Sequence, residues 1–108
     1  ILKEAEVLVL VTPLYWFSFP TQLKAALDKF YAFMLGGRPL KIKECALLVT
    51  AETDEMKDFE GIVRSYELIA DYLKWTDRGK ILVPNVGEPG AIKGSPTLDE
   101  ARNLGKTI

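Results

Sequence analysis

Glu6-Val7-Leu8-Val9-Leu10-Val11-Thr12-Pro13-Leu14-Tyr15-Trp16-Phe17 is the stretch whose reading decides the fold. Val7 to Val11 is apolar without a break and does not alternate, so Glu6 to Thr12 is expected to be a strand buried on both faces. Beyond it the apolar spacing changes. Leu23, Ala26, Leu27, Phe30, Tyr31 and Met34 recur three and four residues apart, which predicts a helix from Pro20 to about Phe33. Pro20 suits the first turn, Ser18 is the expected N-cap, and Gly36-Gly37 ends the helix. A buried strand that ends in an aromatic loop and turns into a helix is how open α/β sheets build ligand crevices outside the carboxyl ends of their strands. Flat aromatic side chains and free backbone amides suit a flat, partly apolar ligand.

The pattern repeats downstream. Glu44 to Thr50 predicts a second buried strand, and a loop from Ala51 to about Glu55 leads into a second helix. That helix has Phe59, Ile62, Val63, Tyr66, Ile69, Ala70 and Leu73 on one face and Glu60, Arg64, Glu67, Asp71 and Lys74 opposite. Gly79 then precedes a third strand, Lys80 to Val83, and Pro84 to Pro96 is a Gly/Pro-rich loop. Thr97-Leu98-Asp99-Glu100 has capping-box spacing and opens a last helix through Leu104. Strands alternating with helices predict a parallel sheet with helices on both faces, and right-handed crossovers set its strands side by side. Val7 to Val11 would then be a bare apolar edge, which natural sheets protect. A further strand is expected beside it, supplied by sequence before Ile1 or by another chain.

Composition narrows the chemistry. The 108 residues allow one domain, and 48% apolar residues supply its core. A net charge of −1 leaves no electrostatic footprint for nucleic acid. No apolar run reaches the ~20 residues of a membrane helix. One cysteine excludes an internal disulfide and a four-cysteine metal site within this chain, and the absence of histidine removes Ser/His/Asp and Cys/His triads. Catalytic side chains and metal ligands are accordingly not assigned. Cys45 sits in an apolar strand and reads as a small hydrophobe.

Pro13-x-Tyr15-Trp16 followed by Pro20-x-x-x-Lys24-Ala25-x-x-Asp28-Lys29 resembles the NADPH-dependent FMN reductase family of flavodoxin-like proteins, nearest its iron–sulfur-flavoprotein-like quinone and FMN reductase branch. Glu100-Ala101-x-x-x-Gly105 resembles the same branch. The resemblance implies a flavodoxin-like three-layer αβα fold with sheet order 2-1-3-4-5. Residues 1–108 would be the C-terminal portion of a single FMN-binding domain, its strands three to five, and the Ser/Thr-rich phosphate loop would lie upstream.

The same resemblance assigns Thr12, Pro13, Leu14, Tyr15, Trp16 and Phe17 to the loop that wraps the isoalloxazine ring, and Thr50, Ala51 and Glu52, with Thr53, to a second flavin-edge loop. Covering a core edge is the plainer role for the aromatic residues. Many relatives have glycines in the Thr50–Thr53 stretch, which let the backbone come close to the ring, and this chain has none there; the Glu52 carboxylate would disfavour an anionic reduced flavin, or would be a solvated loop acid beside a helix N-terminus. Lys24 and Asp28 match a family pair near a subunit contact, so packing is their expected role. Tyr72 and Trp75 are expected in the core or a subunit contact, and Arg38 on the surface or at a nicotinamide phosphate. The loop Gly87 to Pro96 can, in relatives, reach over a neighbouring subunit's flavin.

The implied activity is hydride transfer from NAD(P)H through FMN to a small acceptor, in a cytoplasmic homodimer or higher homo-oligomer. An FMN-dependent electron carrier without its own substrate is the alternative. A fold that has lost its cofactor is the third reading.

Overall fold

The computed structural model describes residues 2–108. Its elements are β1 (Val7–Pro13), α1 (Thr21–Leu35), β2 (Glu44–Thr50), a 3-10 turn (Met56–Phe59) running into α2 (Glu60–Leu73), β3 (Thr76–Val83) and α3 (Pro96–Thr107). The strands form a parallel sheet in the order β1-β2-β3. This is the α/β architecture expected of the alternating pattern.

One face of the sheet carries Leu8, Leu10 and Thr12 of β1 in register with Cys45, Leu47 and Val49 of β2. There α1 contributes Leu27 and Phe30, and α2 contributes Ile62, Tyr66 and Ala70, to the main core. Trp75 closes its lower end, edge-on to Phe30 at 5.6 Å between ring centroids. Burying these aromatic and aliphatic side chains, at roughly 1.5–3 kcal/mol each, is the main force holding the helices to the sheet. On the opposite face α3 packs against β3, where Leu104 lies against the backbone of Gly79.

That opposite face corrects one expectation. β1 is buried on one side only: Val9 and Val11, in register with Ala46 and Leu48, are 42% and 68% exposed. An unbroken apolar run records the covering a strand can accept, and α3 packs chiefly against β3. β1 is also an unpaired sheet edge.

The ends of the elements also differ from the periodicity. β3 begins at Thr76, and Gly79 lies inside it rather than before it. Cys45 pairs with Asp77 and Leu47 with Lys80, so Arg78 and Gly79 together face Ala46 in a bulge. Gly79 adopts φ 152°, and a side chain there would meet Leu104. Pro20, not Ser18, caps α1, and makes no side-chain capping bond. Ser95, not Thr97, caps α3: its Oγ accepts from the Thr97 N–H, with Pro96 in the first turn. Ala26, Tyr31 and Met34, assigned to the buried stripe of α1, are exposed.

Candidate functional site

The carboxyl ends of the strands carry three loops. After β1, the Leu14 N–H donates to the Thr50 carbonyl at 2.8 Å, prolonging the ladder by one residue. Tyr15 and Ser18 then exchange two backbone hydrogen bonds of 3.1 Å across Trp16 and Phe17. Both central residues have positive φ, 48° and 66°, the requirement of a type I′ turn. Asn-Gly is the sequence such a turn favours; two bulky aromatic residues there carry strain on the order of 1 kcal/mol each. The turn holds Trp16 outward, 92% exposed, with its ring centroid 5.9 Å from that of Phe17. Gly61, in the first turn of α2, lets the Phe17 carbonyl approach: a Cβ there would stand 3.0 Å from that oxygen.

After β2, Ala51 donates to the Val83 carbonyl at 2.9 Å and accepts from the Val86 N–H at 2.8 Å. Thr53 donates its hydroxyl to Asp58 Oδ2 at 2.6 Å and accepts from the Glu55 N–H, which fixes the entry to the 3-10 turn. The Asn85 N–H donates to the Thr53 carbonyl, stitching the loop after β3 to the loop after β2.

Between the first two loops lies an open cleft of about 230 Å³, lined by Leu14, Trp16, Phe17, Ala51, Glu52, Thr53 and Asp58. Among the described residues, the amides of Trp16, Phe17, Glu52 and Thr53 donate to no protein acceptor. The rim thus offers two aromatic rings, free N–H donors and two carboxylates. No lysine or arginine lines it.

Five of the nine residues singled out from the sequence line this cleft: Leu14, Trp16, Phe17, Ala51 and Glu52. The other four do not. Thr12 is buried in the core at 4% exposure, with its hydroxyl on the Pro13 carbonyl. Pro13 and Thr50 end their paired strands, and Tyr15 is exposed outside the lining. Thr53 belongs to the cleft, as the second flavin-edge loop implies, and Asp58, overlooked in the sequence, belongs with it; the Thr53-x-x-x-x-Asp58 hydrogen bond is the local signal that would have found it. Arg38 lies at the other end of the sheet, beside Phe33 and Trp75, because the helix it follows runs antiparallel to the strands.

A larger apolar groove, about 500 Å³, lies between α1 and α2 on the outer surface. Tyr31, Met34, Leu68 and Tyr72 line it and are exposed. Lys24 and Asp28 pair at 2.6 Å on its rim. Both are solvated, so the pair contributes little to stability.

A family model described as a flavodoxin-like fold, Flavodoxin_2, matches residues 1–103. The chain belongs to this flavodoxin-like family. Proteins of the family typically bind flavin, and oxidoreductases are among them. Among solved structures, the flavodoxin-like chain is similar to the Trp repressor binding protein from Bacillus subtilis, with TM-score 0.80 and 18% identity over 94% of this chain and 65% of that one. It is also similar to a structure described as a thermophilic tryptophan halogenase from Streptomycin violaceusniger, with TM-score 0.64 and 19% identity over 96% of this chain and 66% of that one. The chain therefore spans about two thirds of the length of each. At these identities the likeness is one of fold. No curated protein matches the sequence. No helix among the described residues is long and apolar enough to cross a membrane.

Proposed function

We propose that this protein is a flavin-dependent oxidoreductase of the NAD(P)H-dependent FMN or quinone reductase type, located in the cytoplasm. The observation that carries the reading is the strained Trp16-Phe17 turn facing the Ala51–Thr53 loop across a cleft at the carboxyl ends of β1 and β2. Exposed aromatic residues held at positive φ are costly to keep for packing alone, and α/β sheets bind ligands at this end.

The donor set fits a flavin ring. Trp16 and Phe17 present aromatic surface to it, and the free amides of the two loops present donors to its carbonyl edge. Bound FMN supplies the acceptance of hydride from NAD(P)H and the delivery of electrons to a small acceptor. The protein's part is orientation and electrostatics. The chain has no histidine and, among the described residues, no lysine or arginine lines the cleft, so protons can come from water.

We further place a second copy of the chain on the groove between α1 and α2. Its exposed Tyr31, Met34, Leu68 and Tyr72 form an apolar surface, and the opposite charges of Lys24 and Asp28 suit a two-fold contact.

The test is an absorbance spectrum of the full-length purified protein, phosphate loop included, supplied with FMN and repeated after adding NADPH without oxygen. A bound flavin spectrum that bleaches supports the reductase. A flavin spectrum that NADPH leaves unchanged replaces it with an electron carrier, and no flavin binding overturns both.

A further inference from the structure

Two carboxylates line the cleft, and they differ. Asp58 is engaged by the Thr53 hydroxyl at 2.6 Å and sits half-buried in the 3-10 turn that runs into α2. Glu52, among the described residues, has no ion pair and no side-chain hydrogen bond. Yet its stem has a close neighbour. The loop after β3, held by the Asn85 and Val86 amides, brings Gly87 so close that a Cβ there would stand 2.8 Å from Glu52 Cγ and 3.4 Å from Oε1. Gly87 packs along the Glu52 side chain from Cγ to Oε1, and Glu52 lines the same cleft as Trp16 and Phe17. The other charged side chains of this loop and turn, Asp54, Glu55 and Lys57, lie outside the lining.

We infer that Glu52 is the charge-selecting residue of the cleft, favouring flat aromatic ligands that carry positive charge, pyridinium-type rings included, and disfavouring those that carry negative charge. This rests on the cleft being the ring-binding site. An aromatic surface attracts a cation through its π face. A carboxylate at the edge adds a charge of the same preference, with nothing in the lining to neutralise it. Gly87 is a positioning residue, because its missing side chain allows Glu52 to be held where it is.

Quenching of Trp16 fluorescence reads the cleft directly, since Trp75 is 9% exposed and the Trp16→Phe variant supplies the blank. Three fused-ring probes differ in charge: methylene blue (cationic), lumiflavin (neutral) and anthraquinone-2-sulfonate (anionic). Glu52→Gln should weaken methylene blue roughly fivefold at low ionic strength, tighten the sulfonate by a similar factor, and move lumiflavin less than about twofold. The effect should fade in ~1 M salt, where the Debye length is about 3 Å. Gly87→Ala, which displaces the Glu52 stem, should shift the probes in the same directions by less. If Glu52→Gln changes all three probes alike, or none, the inference falls while the ring site stands. If lumiflavin does not quench Trp16 in the unaltered protein, the ring site falls and this inference with it.

Discussion

The hydroxyl of Tyr66 donates to Asp77 Oδ1 at 2.8 Å, tying the buried face of α2 to the start of β3. Asp77 also accepts from the Gly79 N–H at 3.0 Å and pairs with Lys80, whose ammonium stands over the Tyr66 ring. The bulge at Arg78 and Gly79 is therefore held by a side chain one residue before it. Cys45 Sγ lies 3.1 Å from the Tyr66 oxygen. Burial pushes the Cys45 thiol up from its ordinary range, so it keeps its proton.

Tyr66→Phe should cost about 1–2 kcal/mol, because the carboxylate of Asp77 loses a donor and the protein gains no packing in return. Urea unfolding with an unchanged m-value is the measurement. A loss below about 0.3 kcal/mol would mean that water replaces the hydroxyl at no cost.

Burial alone would raise Asp77, but the Lys80 ammonium, the Tyr66 hydroxyl and the Gly79 amide outweigh it and lower its carboxyl below 3.8. The unfolded chain thus binds the proton more tightly. The contribution is complete above pH 3.8 and is lost as pH falls through the lower folded value. Lys80 has the opposite sign: bonded to Asp77, it is raised above 10.5, so its contribution is complete below that pH and is lost as pH rises through the higher folded value. Asp77→Asn should flatten both arms of the stability–pH curve.

The double variant Trp16→Asn, Phe17→Gly turns a strained aromatic turn into a favoured type I′ sequence. Thermal unfolding should show a gain of about 1–2 kcal/mol as left-handed strain is relieved, while binding of lumiflavin is lost. A turn that instead loses stability would show that Phe17 contributes more through packing than it costs in strain.

Ser95→Ala should cost about 1 kcal/mol, since it removes the acceptor for the Thr97 amide, whereas Glu100→Ala should have little effect. Equilibrium denaturation of the two variants distinguishes a cap at Ser95 from a capping box starting at Thr97.

Leu68→Lys places a charge in the α1–α2 groove at an exposed position, so the fold should survive. Sedimentation should show the unaltered chain as a dimer and the variant as a monomer. A monomer in both would remove the dimer from the proposed function.

The alternation of unbroken apolar runs with helical spacing was enough to give three parallel strands side by side, and the order β1-β2-β3 is the one the flavodoxin-like resemblance implied for its strands three to five. The same runs located the aromatic turn and the loop after β2 at one end of the sheet. Periodicity reports which residues are able to be buried. It does not report what covers them. The exposure of Val9 and Val11, the separation of Thr12 and Tyr15 from the cleft, and the bulge at Gly79 depend on where neighbouring elements end. Positive φ at Trp16 and Phe17 is likewise foreign to their intrinsic preferences; it is imposed by the Tyr15–Ser18 pairing and the close approach of Phe17 to Gly61. The packing of Gly87 against Glu52 joins residues 35 positions apart, through hydrogen bonds that form only once β2 and β3 are paired. Local sequence determined the elements and their order. The tertiary structure decided which side chains meet, because that depends on distances between elements that no single segment encodes.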